Sequence, residues 1–351
     1  MTIHIRLATS ADQVIWDQYV VQHPQTTPYH RFAWLQSIEA AYQHQSVSLL
    51  ALQDEQVVGI MPCIAMKAPF RQLSFCALPY CDIGGALSNS EFIKEQLFAK
   101  ALAALRQAGG SKLDYRDNAS VQNEAAMASQ KVRMLLPLPD TSVQLLAEFK
   151  SKLRSQIRKS EKNGLTSIIA NDKKQTDDFY HIFSTNMRKL GSPVHSKKWF
   201  DALFKYYENN IVLSVVYSGT VAVGAGITLR NGTKMSIPWA STVAEHNKLA
   251  PNMMLYWSLL KHACDTGCNE FDFGRSTYGE GTYKFKRQWG AQPHQLSWRD
   301  LANTQLENEQ NTERSNFKLG KLRPLAEQLW SKLPIEVTTT LGPLIRKHIS
   351  L

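Results

Sequence analysis

A chain of 351 residues, 43% hydrophobic and 20% charged, is long enough for two cores and too apolar for a disordered polyelectrolyte. It has no apolar run near the ~20 residues of a spanning helix, no signal-peptide stretch after Met1 and five cysteines in no framework spacing, so a reducing, cytoplasmic location is expected. The net charge of +10 favours anionic partners such as RNA, a nucleotide-sugar pyrophosphate or an acidic membrane surface, and selects none of them.

The spacing of Phe32, Leu35, Ile38 and Tyr42 predicts a helix over Arg31–Tyr42. Val47–Leu52 and Val57–Met66 read as strands around an Asp54-Glu55 turn, and Leu73–Ala77 as a short strand before a Pro79–Gly85 loop. Glu91–Ala108 is helical in pattern, stopped by Gly109-Gly110, and Lys112–Tyr115 is the next strand. Ser151–Asn163 has Leu153 and Ile157 four apart on a helix otherwise crowded with Lys152, Arg154, Arg158, Lys159 and Lys162. It reads either as a solvated linking helix or as a phosphate or nucleic-acid contact, with Arg158 a substrate-binding candidate.

Asp177–Lys189 and Lys197–Glu208 are predicted helices. Ile211–Tyr217, Thr220–Leu229 and Thr233–Trp239 are predicted strands joined at Ser218-Gly219 and Asn231-Gly232. A helix over Asn252–Asp265 ends at Gly267, and Glu270–Phe273 is a buried strand. Cys264 and Cys268 have no second pair at zinc-site spacing, so free thiols and no metal are expected. Leu301–Asn316 is polar and reads as a loop. Leu319–Leu351 regains apolar residues in short helices broken at Pro334 and Gly342-Pro343. This tail is expected to fold back on the N-terminal part, with a membrane-surface foot near Arg346-Lys347-His348 as the rival reading.

The chain also contains a diverged copy of itself. Shifted by 165 positions, Thr27–Gly59 falls on Ser192–Gly224, matching Pro28 to Pro193, His30 to His195, Trp34 to Trp199 and Tyr42 to Tyr207. At an offset of 158, Leu97, Leu102, Gly109 and Asp114 meet Leu255, Leu260, Gly267 and Asp272. Two copies of about 140 residues imply two similar domains, with a cleft between them as the default ligand site. The expected ranges are 1–140, 141–300, and 301–351 for the loop and tail.

The densest segment is Phe271–Gly290, Phe-Asp-Phe-Gly-Arg-Ser-Thr-Tyr-Gly-Glu-Gly-Thr-Tyr-Lys-Phe-Lys-Arg-Gln-Trp-Gly. Its glycines let backbone approach a ligand. Period-two alternation predicts a strand with Tyr283, Phe285 and Arg287 on one face and Lys284, Lys286 and Gln288 on the other. That strand reads either as an edge with solvated lysines or as a cationic ligand contact.

This signature resembles the C-terminal motif of Fem-type transferases, and most of all FemAB-like proteins associated with the exosortase/PEP-CTERM system. Leu153–Leu165, Phe179–His195, Ile237–Ser241, Asn252–Trp257 and the final Trp330 to Pro343 agree with that branch. The resemblance implies an α+β fold of two tandem GNAT-like (acyl-CoA N-acyltransferase) domains, with mixed central sheets flanked by helices. It implies acyl or aminoacyl transfer to an amine of a peptidoglycan-type precursor, or of an exopolysaccharide precursor as in the related CelD/BcsL group. The Fem lysine falls on Lys286 after Phe285.

Two departures from the family pattern matter, the second of them for the donor. The segment between the copies leaves no room for the helical arm of some Fem proteins. The loop Glu245–Pro251 lacks the Gln/Arg-x-x-Gly-x-Gly/Ala cradle for coenzyme A pyrophosphate. The donor therefore reads as acyl-CoA or aminoacyl-tRNA, with no tightly bound cofactor. The acceptor reads as an anionic small molecule or lipid-linked precursor; tRNA and peripheral membrane contact are possible partners, DNA is not.

Roles follow from the chemistry. Lys286 and Arg275 are candidates for phosphate or oxyanion contact, joined by Lys284. Asn252, at a helix start, offers N–H groups to an anion. Asp272 suits anchoring Arg275 or a loop N–H. His195 is the base by its titration range, yet its counterpart His30 suggests an inherited role at the start of a helix. Tyr283 and Trp239 line an acceptor pocket or pack in the core.

Overall fold

The computed structural model describes residues 2–69, 71–119, 127–128, 130–302 and 324–351. In chain order the elements that position the site are β1 (His4–Leu7), α1 (Gln13–Gln22), α2 (Phe32–Tyr42), β2 (Gln45–Ser46), β3 (Leu49–Gln53), β4 (Gln56–Met61), β5 (Ile64–Met66), β6 (Ser74–Cys76), β7 (Leu87–Ser88) and α3 (Glu91–Gln107). They continue as β8 (Lys112–Asn118), β9 (Lys131–Pro137), α4 (Ser142–Glu148), α5 (Ser151–Lys162), β10 (Leu165–Ile169), α6 (Lys173–Lys189) and α7 (Lys197–Tyr207). Then come β11 (Ile211–Ser218), β12 (Val221–Asn231), β13 (Lys234–Thr242), α8 (Pro251–Asp265), β14 (Glu270–Thr277), α9 (Gly281–Gln288), β15 (Gln292–Asp300), a helix over 324–332 (α10) and α11 (Ile335–Arg346).

The chain divides into two compact units that are interleaved and not consecutive: Met1–Asp117 with Leu190–Tyr206 and Ser297–Leu351, and Asn118–Lys189 with Tyr207–Leu296. The copy-two helix α7 thus belongs with the N-terminal unit.

In the first unit one sheet has the order β1-β3-β4-β7, and β6 pairs antiparallel with β5 and parallel with β8. The Asp54-Glu55 turn closes β3 on β4 with both residues at positive φ, the geometry that matches strand twist in a two-residue hairpin. Val57–Met66 splits in two at Pro62, which has no amide hydrogen for a ladder. α3 lays Ile93, Leu97, Ala101 and Leu105 on the sheet. Gly59 is required there, since a Cβ would sit 2.8 Å from Ile93.

The repeated helices meet inside this unit. Trp34 of α2 and Trp199 of α7, equivalent in the two copies, pack edge to face at 5.1 Å, and Tyr42 stacks on Trp199 at 5.6 Å. The tail packs here too. Lys347 O takes hydrogen bonds from the Tyr80 hydroxyl and the His44 ring, and Ser350 O from Arg116 and the Tyr80 amide. Leu325, Leu329, Leu341, Leu344 and Ile345 of the tail remain exposed. Residues 303–316 of the polar segment lie outside the described residues.

The second unit is one sheet in the order β10-β11-β12-β13-β14-β9-β15. It is antiparallel except where β13 meets β14. α8 packs Leu255, Leu259, Leu260 and Ala263 into its core with Phe271, Phe273 and Trp289. β9, β10, β15, α1 and α4 have no counterpart in the sequence reading. All five cysteines are free and buried.

Candidate active site at a strand fork

β13 and β14 run parallel for only three residue pairs, Lys234–Ser236 against Glu270–Asp272. Past Ser236, β13 continues to Thr242 paired to β12 alone, through a bulge that sets Ile237 and Pro238 between the pairs Leu229–Ser236 and Ile227–Trp239. Pro238 lacks an amide hydrogen and fits where a ladder stops. β14 continues to Thr277 paired to β9, with its own register shift between Asp272 and Arg275. The sheet therefore forks.

The chain leaves β13 and turns into α8 through Ala250, at φ 64°. Pro251 opens the helix and packs over Gly224, where a Cβ would lie 3.5 Å from it. Asn252 is the next residue, half-buried, and its N–H is one of those a helix start leaves without an intrahelical acceptor. These orphan donors and the helix dipole give this end a positive potential.

Asp272 braces the base of the fork. Its carboxylate accepts Arg133 Nε at 2.8 Å, the Gly274 amide at 2.7 Å and the Ser236 hydroxyl at 3.3 Å. Asp272 thus anchors a backbone N–H, on the bulge of β14 and not in a loop, and its guanidinium partner is Arg133 and not Arg275. Gly274 stands at φ 70°, a left-handed conformation that fits glycine.

Lys286 closes the bulge from the other side. It is 8% exposed, and its Nζ donates to the carbonyls of Gly274 at 3.1 Å and Arg275 at 2.9 Å. The element that carries it is α9, a helix, which corrects the predicted strand. Tyr-Lys-Phe-Lys alternates with period two, but Phe285 and Trp289 also recur at i, i+4, and both pack beside Tyr256. Lys286 and Arg287 in the last turn complement the helix dipole, and Gly290 at φ 95° terminates it. The fully buried Trp289 decides between the two periods.

Residues 147–287 match the acetyltransferase (GNAT) domain family. The GNAT domain so defined contains the fork, Asp272 and Lys286. The crystal structure of FemX is similar to this chain with a TM-score of 0.65 and 12% identity, over 85% of this chain and 97% of that one. A tandem GNAT protein from the clavulanic acid biosynthesis pathway is similar with a TM-score of 0.51 and 10% identity, over 86% and 99%. No curated protein sequence matches the chain. The fold is the expected one, α+β with tandem GNAT neighbours and sheets flanked by helices.

Other predicted residues take varied places in or near this GNAT domain. Arg275 is half-buried on β14 beside the bulge. Trp239 lies on β13 just beyond the divergence, 8% exposed. Tyr283 is half-buried on α9 with its ring 4.6 Å from that of Tyr278. Lys284 and Arg158 are exposed on α9 and α5.

His195 falls within the matched residues but belongs to the first compact unit, whereas Lys286 and Arg275 belong to the second. It is buried between Trp199 and Tyr80, with Nδ1 2.6 Å from the Tyr42 hydroxyl. Burial, helped by the Arg346 charge, pushes its pKa well below the ordinary imidazole value and keeps it neutral. Its counterpart His30 instead receives the Thr27 amide on Nδ1 and sets Nε2 against Gly85 O.

Three residues of this region were missed by the sequence reading. Arg133, Ser236 and His294 join Asp272 in a line across β13, β14, β9 and β15, since His294 stands directly opposite Arg133. Burial, then the Arg133 charge, lowers the His294 pKa. The line is made by strand pairing between distant segments, and no local spacing signals it. Among the described residues no His/Cys/Asp/Glu cluster can hold a metal, and no helix is long and apolar enough to cross a membrane.

Proposed function

We propose that this protein is a cytosolic acyl- or aminoacyltransferase that acts on an amine of a cell-envelope or exopolysaccharide precursor. The observation that carries the reading is the fork inside the GNAT domain, three parallel pairs followed by strands that part, with the positive end of α8 beyond. In the reaction the amine nitrogen bonds to the acyl carbonyl carbon. The oxyanion collapses with loss of the donor's thiolate or ribose oxygen, and the ammonium proton leaves to solvent or to that leaving group. Here α8 would hold the donor's phosphates. Arg275 and Lys284 would supply positive charge, and Tyr283 and Trp239 apolar wall. The rigid Asp272–Arg133 pair and Lys286 would hold β14 in the parted geometry that orients the reactants.

The family match over 147–287 supports acyl-CoA as donor, and the Fem-type motif that ends at Lys286 supports aminoacyl-tRNA. The exosortase/PEP-CTERM setting and the CelD/BcsL relationship rest on the sequence motifs. Peripheral membrane contact is supported by the exposed Leu341, Leu344 and Ile345 on α11. The rival reading, a non-catalytic module that holds an anionic glycolipid or RNA, is favoured by one observation: Lys286 already serves two backbone carbonyls.

The test is donor consumption. Purified protein is given acyl-CoA or aminoacyl-tRNA with envelope-precursor amines, and free thiol, deacylated tRNA and product mass are followed. Turnover of either donor dependent on the amine supports the enzyme and names the donor. Tight binding of an anionic ligand with neither donor consumed would favour the binding module.

A further inference from the structure

A polar cavity of about 140 Å³ lies wholly within the first compact unit. Its walls come from the β5–β6 turn, the start of β8 and the last residues of the chain. Lys67, Arg71 and Lys112 supply three positive charges, against one carboxylate, Asp114. That carboxylate is already matched, with Lys112 Nζ at 2.8 Å and the buried Arg116 guanidinium at 3.6 Å. The side chains of Lys67 and Arg71 make no hydrogen bond or ion pair among the described residues. The tail contributes Ser350 and His348, whose Nδ1 is buried with no hydrogen-bond partner among the described residues.

These features have one chemistry in common. Excess positive charge beside an unsatisfied ring nitrogen suits an acceptor-rich anion. At roughly 30 Å³ for each water-sized group, the cavity accommodates a phosphoryl group. A guanidinium matches two phosphoryl oxygens at once, and a lysine adds a point charge. We propose that this cavity binds a phosphoryl group, held by Lys67, Arg71 and Lys112 and closed over by His348 and Ser350 of the C-terminal tail. Anything attached to the phosphoryl group must extend out past Lys67 and Arg71, which are exposed. None of its residues is a fork residue, so it stands or falls independently of the transferase reading.

Thermal unfolding and calorimetry on the full chain test it, with inorganic phosphate and UDP as probes and acetate at equal ionic strength as control. Phosphate or UDP is expected to raise the melting temperature progressively with concentration while acetate does not. The Lys67→Gln/Arg71→Gln variant changes two exposed side chains that have no hydrogen bond or ion pair among the described residues, and in phosphate-free buffer it should melt as the parent does. It should bind about tenfold or more weakly, the loss expected when charge-assisted hydrogen bonds are removed. UDP binding much tighter than phosphate would identify a phosphate ester as the ligand; equal binding would identify the free anion. The inference is overturned if neither probe stabilises beyond acetate, or if the double variant binds as the parent does.

Discussion

Lys286 Nζ reaches the carbonyl oxygens of Gly274 and Arg275 at 3.1 and 2.9 Å, tying α9 to the bulge of β14. A charged donor on two carbonyls at a buried position is worth more than an ordinary hydrogen bond, about 1.5–3 kcal/mol for each. Lys286→Met keeps the apolar stem and removes both bonds. We expect it to lower both the melting temperature and kcat, because the geometry of Arg275 depends on it. If kcat collapses while denaturant unfolding is unchanged, the lysine acts on the substrate and not on the loop.

The Asp272–Arg133 pair is among the most buried charge pairs of the described chain, with side chains 4% and 6% exposed. Removing one partner strands the other in a medium that solvates it poorly. Asp272→Leu and Arg133→Met should each cost about 3–5 kcal/mol. Asp272 also holds the Gly274 amide, so its loss should be the larger. The double variant should cost much less than the sum, which urea unfolding of all four proteins would read as a coupling energy. Additive losses would contradict the pairing.

Much of the fold was legible because it is written locally. Helix faces such as Phe32/Leu35/Ile38/Tyr42, and hairpin turns at Asn231-Gly232, carry their own period and stop signals. The segment 281–288 was misread because Tyr283, Phe285 and Arg287 satisfy one period while Phe285 and Trp289 satisfy another, and burial of Trp289 is a tertiary fact. β9 and β15 went unread for a related reason: Lys131–Pro137 and Gln292–Asp300 take their pairing from distant strands. The repeat pointed to Trp34 and Trp199 as equivalent residues. It gave no sign that they touch, because a duplication reports ancestry and not docking.

Acid should destabilise the protein through its histidines. Burial is the leading cause that lowers the pKa of His195, His44, His262 and His294 below 6.5. A unit or more above pH 6.5 these imidazoles are neutral in both folded and unfolded chains and contribute no slope. Below it the unfolded chain takes up protons that the folded chain refuses, so stability falls as pH drops. For a group as buried as His195 the penalty approaches about 1.4 kcal/mol one pH unit below its unfolded value. Melting temperature should therefore decline from pH 7.5 to 5.5, in steps set by roughly that scale, and His195→Gln should flatten the decline. An unchanged slope in that variant would place the titrating group elsewhere.

Docking of the tail rests on a glycine outside it. Gly191 has φ 69°, and a Cβ there would lie 2.5 Å from Glu327 O and 2.7 Å from its Cα, both backbone atoms of α10. Backbone cannot swing aside as a long side chain can, so Gly191→Ala must displace the helix or the loop. Gly109→Ala is the control, since Gly109 has a similar φ of 70° and nothing within 4 Å of a new Cβ. The control should lose only the left-handed backbone cost, about 1–2 kcal/mol. Gly191→Ala should add an overpacking cost of about 1–3 kcal/mol. It should also speed hydrogen exchange and proteolysis across 324–351 while leaving α8 protected. Equal losses in the two variants, with the tail protected in both, would show that α10 does not depend on this contact.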